Sequence, residues 1–419
     1  MKRISIICLA GAVMLSVAMS ASAQGAVRGE QQLRTEVLED LMGNILPFWK
    51  KYAPDPSGGF YGTLLFDGTP KADAEKGLVL NARILWTFST AYSLFKDESY
   101  KELADRAQTW FPHFIDTEHG GAYWSVKADG SPDNTNKQTY GITFGIYGLS
   151  AHFRATGNME SLQSSIALYH ALEEYAFDPV NGGYTESFTR DRQTPERYGY
   201  DGKGIAAKTM NTHLHILEAY TALYTVWADD GLRKQLYSLT RTIIDKIVDK
   251  STWHEKLFLT ADWQNLEDID SYGHDMEFSW LLTEAAEALG DEALVRECRE
   301  IAVHFVDTQT REGLNADGSL IYEKQGDHRH TNLDWWPQAE TVVAFYNAWQ
   351  ITGDRKYLDN ALKTWGWIRD NMIDREYGEW HSTITADGIP AKKRPKADLW
   401  RCPYHNSRMG FELFHRIHD

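Results

Sequence analysis

The chain has 419 residues and a formal net charge of −16, from 59 acidic and 43 basic side chains. No cluster of lysines and arginines makes a phosphate-tracking stripe, so nucleic acid is excluded as a partner and an enzyme acting on a neutral substrate fits better. Aromatic residues make up 13 %, with 15 Trp and 21 Tyr; much of that belongs to a core, but sugar sites also use flat rings against the C–H faces of pyranoses.

The N-terminus reads as an export signal. Lys2 and Arg3 precede a mostly apolar run from Ile4 to Met19, and Ala21-Ser22-Ala23 supplies a small-residue cleavage pattern. The expectation is a signal peptide over 1–23, cleaved near Ala23, followed by one domain over 24–419. The apolar run is too short to be preferred as a membrane span, and no later segment is long enough, so no membrane association is expected after cleavage. Cys298 and Cys402 then remain; their spacing forms no framework, and neither a disulfide nor a zinc site is assigned.

Beyond the leader the periodicity is helical. Leu38, Leu41, Ile45 and Phe48 recur at spacings of three and four, as do Leu236, Leu239, Ile243 and Ile247. Similar stripes run through 80–95, 143–154, 214–227, 278–289 and 339–349. Several end at turns such as Thr156-Gly157-Asn158, Leu289-Gly290-Asp291 and Thr352-Gly353-Asp354.

Glycine–aromatic loops punctuate the helices: Gly58-Gly59-Phe60-Tyr61, Gly120-Gly121-Ala122-Tyr123-Trp124 and Gly182-Gly183-Tyr184, whose first glycines lie 62 residues apart and then 62 again. Weaker echoes follow at Gly313 and Tyr377-Gly378-Glu379-Trp380. A further loop is expected near Trp253 to Phe258, where the glycines are missing. Six units result, each with room for two helices and one longer loop. An open solenoid is one solution. A closed (α/α)6 barrel better explains a second series in step with the loops, Arg83, Tyr140, His215, His274, Glu340 and His405, because a ring brings equivalent positions to one mouth. The all-α barrel is the expected fold.

Four segments carry possible chemistry. Arg83 sits near the start of an apolar helix. In Asn211-Thr212-His213-Leu214-His215 the two histidines, at i and i+2, do not share a helix face; His215 is preferred for the site because Asn211 lies on its face. In His274-Asp275-Met276-Glu277 the carboxylate at i+3 can reach the imidazole and raise its basicity. Trp335-Trp336-Pro337-Gln338-Ala339-Glu340 and Trp400-Arg401-Cys402-Pro403-Tyr404-His405 each place tryptophans before a helix and a reactive residue within it. Each alone has a structural alternative: an exposed arginine, a satisfied core histidine, a helical ion pair. Phosphate-binding glycine loops, HExxH and G-x-S-x-G are all absent, and no metal or other cofactor is expected.

Together these four segments resemble the N-acylglucosamine 2-epimerase superfamily, and more closely its cellobiose 2-epimerase branch, which includes mannobiose 2-epimerases. The resemblance covers nearly the whole mature chain and implies an (α/α)6 barrel. It implies epimerisation at C2 of the reducing-end sugar of a β-1,4-linked disaccharide through ring opening, a cis-enediolate and return of the proton to the opposite face. His274 and His405 would be the acid/base pair, with His405 also opening the ring. Arg83 and His215 would stabilise charge on oxygen, and Glu277 would hold His274. Tyr140 and Asn211 would bind hydroxyls, Trp336 and Trp400 would form sugar platforms, and Glu340 would belong to the substrate-binding set. A glycoside hydrolase on the same barrel, using two of Glu277, Glu340 and Asp334, is the rival chemistry. An N-acylglucosamine 2-epimerase is the rival substrate, and a non-catalytic sugar binder the third reading. The leader implies a periplasmic protein, and a monomer is expected.

Overall fold

A computed structural model describes residues 24–198 and 203–418; the expected leader over 1–23 lies outside them. Twelve helices follow the chain: α1 (24–52, with a π turn at Leu41–Ile45), α2 (Leu78–Phe95), α3 (Glu98–Trp110), α4 (Thr139–Thr156), α5 (Met159–Tyr175), α6 (Met210–Val226), α7 (Asp230–Thr242), α8 (Tyr272–Leu289), α9 (Glu292–Glu312), α10 (Trp335–Thr352), α11 (Arg355–Trp367) and α12 (Tyr404–Arg416).

The even-numbered helices are the inner set. Along α2 every residue from Leu78 to Ser89 is buried, as expected of a helix packed on all sides. The outer helices keep a stripe: α3 buries only Tyr100, Leu103, Ala104, Ala107 and Trp110. Each inner helix packs on the next, and α12 returns to α2, so the ring is closed. The (α/α)6 barrel expected from the repeat is the observed fold.

The turns between inner and outer helices have a simple chemistry. Gly157, Gly290 and Gly353 end α4, α8 and α10 with φ of 74°, 69° and 67°, which costs glycine little. The next residue, Asn158, Asp291 or Asp354, caps the following outer helix by accepting a backbone N–H.

At the other end, two-residue strands stitch each loop to the next. Lys76–Gly77 pairs with Ser125–Val126, Lys137–Gln138 with Ser187–Phe188, Lys208–Thr209 with Phe258–Leu259, and Leu333–Asp334 with Thr383–Ile384. A bridge from Leu64 to Ala397 closes this circle too. In the fourth loop Trp253 takes the position filled elsewhere by glycine: it adopts φ 63° and donates its N–H to Asp249 O, as Gly120 does to Asp116 O and Gly182 to Asp178 O. The loops are staked from below by a register of lysines. Lys76, Lys137, Lys208 and Lys396 are buried and pair with Asp55, Asp116, Asp178 and Asp374 at 2.8, 3.2, 2.8 and 2.7 Å. Cys298 and Cys402 are buried and unpaired. No helix of the described residues is long and apolar enough to cross a membrane.

Candidate active site

Arg83, Tyr140, Asn211, His215, His274, Glu277 and His405 lie within the first two turns of their inner helices, and the fold brings those N-terminal turns to one mouth. They line a cavity of about 330 Å³ with Trp336 and Trp400, a size usual for a small-molecule site. Six parallel helices also direct the positive ends of their dipoles at the cavity, which favours negative charge there.

Arg83 is buried beneath the mouth. Its guanidinium lies between the rings of Phe144 and Tyr404, at 4.1 and 4.5 Å, and donates to Tyr140 Oη at 2.7 Å and to the Trp400 carbonyl at 3.2 Å. Burial pushes the Tyr140 phenol well above its ordinary pKa, so it remains a neutral donor. Asn211 Oδ1 has no partner among the described residues.

The two histidines of α6 divide as their spacing requires. His213 donates from Nδ1 to Thr209 O at 2.7 Å and accepts the Tyr184 N–H on Nε2 at 2.9 Å, and burial lowers its pKa to about 4. It is a structural link between helix and loop. His215 faces the cavity, with Nδ1 2.9 Å from Glu218 Oε2.

His274 and His405 border the same cavity, and the Trp336 indole packs against both rings at 4.6 and 5.4 Å. The expected support of His274 by Glu277 is corrected: His274 Nδ1 meets Ser271 Oγ at 2.7 Å, and Glu277 is engaged by Arg408 instead. The i, i+3 reach that Glu277 offers is used one pair earlier, by Glu218 on His215. Burial, opposed by the Glu277 carboxylate, lowers the His274 pKa to about 4. His405 Nδ1 lies 2.7 Å from Glu340 Oε1, and burial with the charges of Arg83 and Arg408 holds its pKa well below the usual range. Both imidazoles are therefore neutral near pH 7, with Nδ1 engaged and Nε2 left for the cavity.

Glu340 also moves from its expected place. It does not line the cavity but lies behind His405, 1 % exposed, bonded by Trp280 Nε1 at 3.1 Å and by Arg408 Nη2 at 2.6 Å. Arg408, one turn after His405, was not singled out in the sequence. Its Nη2 bonds both Glu277 and Glu340, and its Nη1 bonds Glu218 and Tyr404 Oη. Glu277, Glu340 and His405 bring potential ligand atoms within 4.8 Å of one another, but the Arg408 guanidinium stands between the two carboxylates and supplies the positive charge. Tyr322 also went unnoticed; it reaches the cavity from the loop before α10 and packs on Trp336 at 5.6 Å.

Comparison with known proteins agrees with this geometry. Residues 59–405 match the N-acylglucosamine 2-epimerase (GlcNAc 2-epimerase) family. The cellobiose 2-epimerase of Bacteroides fragilis is 44 % identical over 92 % of this chain and 99 % of its own length. That of Ruminococcus albus is 36 % identical over 91 % and 98 %. The solved structure of cellobiose 2-epimerase from Bacillus thermoamylovorans superposes with a TM-score of 0.88 at 36 % identity, covering 92 % of this chain and 100 % of that one. A match that runs from the first glycine–aromatic loop to His405, with relatives this similar along nine-tenths of the sequence, places the chain in the N-acylglucosamine 2-epimerase family.

Proposed function

We propose that the protein reversibly epimerises C2 of the reducing-end sugar in β-1,4-linked disaccharides such as cellobiose and mannobiose. The observation that carries this reading is the pair of imidazoles, His274 and His405, bordering one cavity with their Nδ1 atoms already engaged. Two bases that can each take or return a proton near neutral pH are what a reversible inversion at carbon needs.

The reaction begins with ring opening. His405 Nε2 takes the anomeric O1 proton as the C1–O5 bond breaks and passes it to O5, which becomes a hydroxyl and leaves the imidazole neutral. One imidazole then removes the C2 proton, and the electron pair passes into the C1–C2 bond and onto O1. The cis-enediolate formed is an anion in a buried site. Arg83, the Tyr140 hydroxyl, His215 and the converging helix N-termini offer it fixed positive charge and donors that need no reorganisation. The second imidazole, protonated from solvent, gives that proton to the opposite face of C2, the first releases the proton it took to solvent, and the ring closes by the reverse of its opening. Trp336 and Trp400 present flat faces to the sugar. Of the rival hydrolytic carboxylates, Glu277 and Glu340 are both tied to Arg408, and Asp334 bonds Thr383.

The leader-like N-terminus, with Lys2, Arg3 and Ala21-Ser22-Ala23, supports a periplasmic enzyme that meets its disaccharide outside the cytoplasm, and the net charge of −16 is compatible with a monomer. N-terminal sequencing and size-exclusion chromatography of the protein released from the periplasm test that placement.

The deciding experiment is NMR of cellobiose and β-1,4-mannobiose, incubated separately with the protein in D₂O. The expected product is the C2 epimer carrying deuterium at C2 with its glycosidic bond intact. Release of monosaccharides would overturn the reading in favour of hydrolysis, and silence with both disaccharides alongside turnover of N-acylglucosamine would move the substrate to the amino sugar.

A further inference from the structure

Behind the cavity wall lies a charge cluster that no part of the sugar need touch. Arg408 is 1 % exposed and faces carboxylates from three other helices: Glu218 on α6, Glu277 on α8 and Glu340 on α10, together with the Tyr404 hydroxyl of its own helix. Two of those carboxylates each hold a histidine of the site by Nδ1, Glu218 at His215 and Glu340 at His405. One guanidinium thus joins two His–Glu pairs back to back.

A His–Glu pair has two neutral-ring arrangements. With the carboxyl ionised, the ring carries its proton on Nδ1 and offers the lone pair of Nε2 to the cavity. With the carboxyl protonated, its O–H donates to Nδ1, the ring proton sits on Nε2, and the base is lost from the cavity side. Burial favours the second arrangement for both glutamates, because a buried carboxylate is costly without a partner. At Glu218 the charge of Arg408 and the bond from His215 outweigh burial and hold the pKa near 2. At Glu340 burial, with the neighbouring Glu277, raises the pKa against Arg408, yet Oε1 accepts from Arg408 Nη2 and Oε2 from Trp280 Nε1, so both oxygens already face donors as an ionised carboxylate requires. The cation between them is therefore what sets the ring state on both sides.

We propose that Arg408 is a positioning residue that fixes His405 and His215 in the Nδ1–H form through Glu340 and Glu218, so that the base and the oxyanion-side histidine are set by a single guanidinium. It acts through the histidines and does not touch the sugar. Its effect on rate rests on the epimerase reading; its effect on the rings does not.

The test is Arg408→Gln and Arg408→Lys, compared with wild type by ¹⁵N NMR of labelled histidines without sugar and by steady-state kinetics. In Arg408→Gln the His405 and His215 rings are expected to shift toward Nε2–H, with kcat falling between about 10²- and 10⁴-fold, the scale of a misdirected base. KM should stay within about threefold, since only the reacting groups are disturbed. Arg408→Lys keeps one charge without the two-sided fork and should fall between. Unchanged ring states in folded Arg408→Gln, or a loss confined to KM, overturn the proposal. If that variant does not fold, Glu340→Leu decides: with no acceptor left at Nδ1, His405 must change its ring state while His215 keeps its own, and an unchanged His405 overturns the proposal. Wild type that leaves the disaccharides untouched would sink the epimerase reading while leaving the ring measurement standing.

Discussion

Replacing one histidine of the pair should make the reaction one-sided. His405→Asn is the sharper choice, because an asparagine amide can keep a donor near Nδ1, 2.7 Å from Glu340 Oε1, while removing Nε2. The ring also packs on Tyr404 and Trp336 at 4.7 and 5.4 Å, so the substitution is expected to cost stability on the order of 1–3 kcal/mol. A domain with roughly 5–15 kcal/mol of stability stays folded. Losing a positioned base costs about 10²- to 10⁴-fold in rate, or about 3–5 kcal/mol of barrier at 1.36 kcal/mol per decade. Inversion needs both faces and should disappear. Exchange of the C2 proton with D₂O needs only one base, so it should persist slowly from the epimer whose C2–H faces His274, without conversion to the other. His274→Asn should show the same from the opposite epimer, and faster, because His405 still opens the ring. NMR from each pure epimer reads both rates. Inversion at the wild-type rate in either variant, or exchange of the same epimer by both, would refute the two-base argument.

The acid limb of kcat/KM should lie below the ordinary histidine pKa of about 6.5, because the working rings are neutral and His274 is lowered to about 4; a limb at or above 6.5 contradicts the burial argument. Stability should follow the same sign at His213: its folded pKa near 4 lies below the unfolded value of about 6.5, so its contribution is present above 6.5 and lost as pH falls toward 4, readable as a drop in Tm that His213→Asn reduces. Trp400→Ala removes a half-exposed ring at the mouth and should raise KM about tenfold with kcat little changed; a pure kcat effect would place Trp400 in the chemistry. EDTA should leave the rate unchanged because Arg408 stands between Glu277 and Glu340, and a loss restored by a divalent ion would reverse that view. Lys137→Met leaves a fully buried Asp116 to Arg190, Tyr123 and backbone donors and should cost about 3–5 kcal/mol by thermal unfolding; a neutral result would show the lysine stakes to be dispensable.

The barrel was legible because its repeat is written in residues with backbone meaning. Paired glycines mark left-handed turns, and Gly-Asn or Gly-Asp marks the end of an inner helix beside the cap of an outer one. Trp253 shows the limit of that signal: it adopts the glycine conformation without being glycine, so the fourth loop was placed only by counting. The cavity residues were legible because their register repeats. What lies one layer back was not. Arg408 acquires its role only where α6, α8 and α10 converge on it, and no spacing along α12 records that. Ser271 is i, i+3 from the imidazole it holds, but it stands before its helix, where the pairing rule for helical faces does not direct attention. The reach from histidine to glutamate was sound physics applied at His274 when the pair that uses it is His215 and Glu218. The lysine stakes stand two residues before α2, α4 and α6 and eight before α12, a recurring buried cation that carries no aromatic or acid–base signature.

The closing helix has a second meaning for how the molecule assembles. Glu218, Glu277 and Glu340 sit on α6, α8 and α10, and the cation they share comes only with α12, after them in chain order. Without that cation the three carboxylates would face one another uncompensated, and their mutual repulsion would oppose closing the ring. The loop circle likewise waits on the bridge from Leu64 to Ala397. Closing the ring and neutralising these carboxylates thus fall to the same helix: α12 is the counter-ion of the other helices as much as their neighbour.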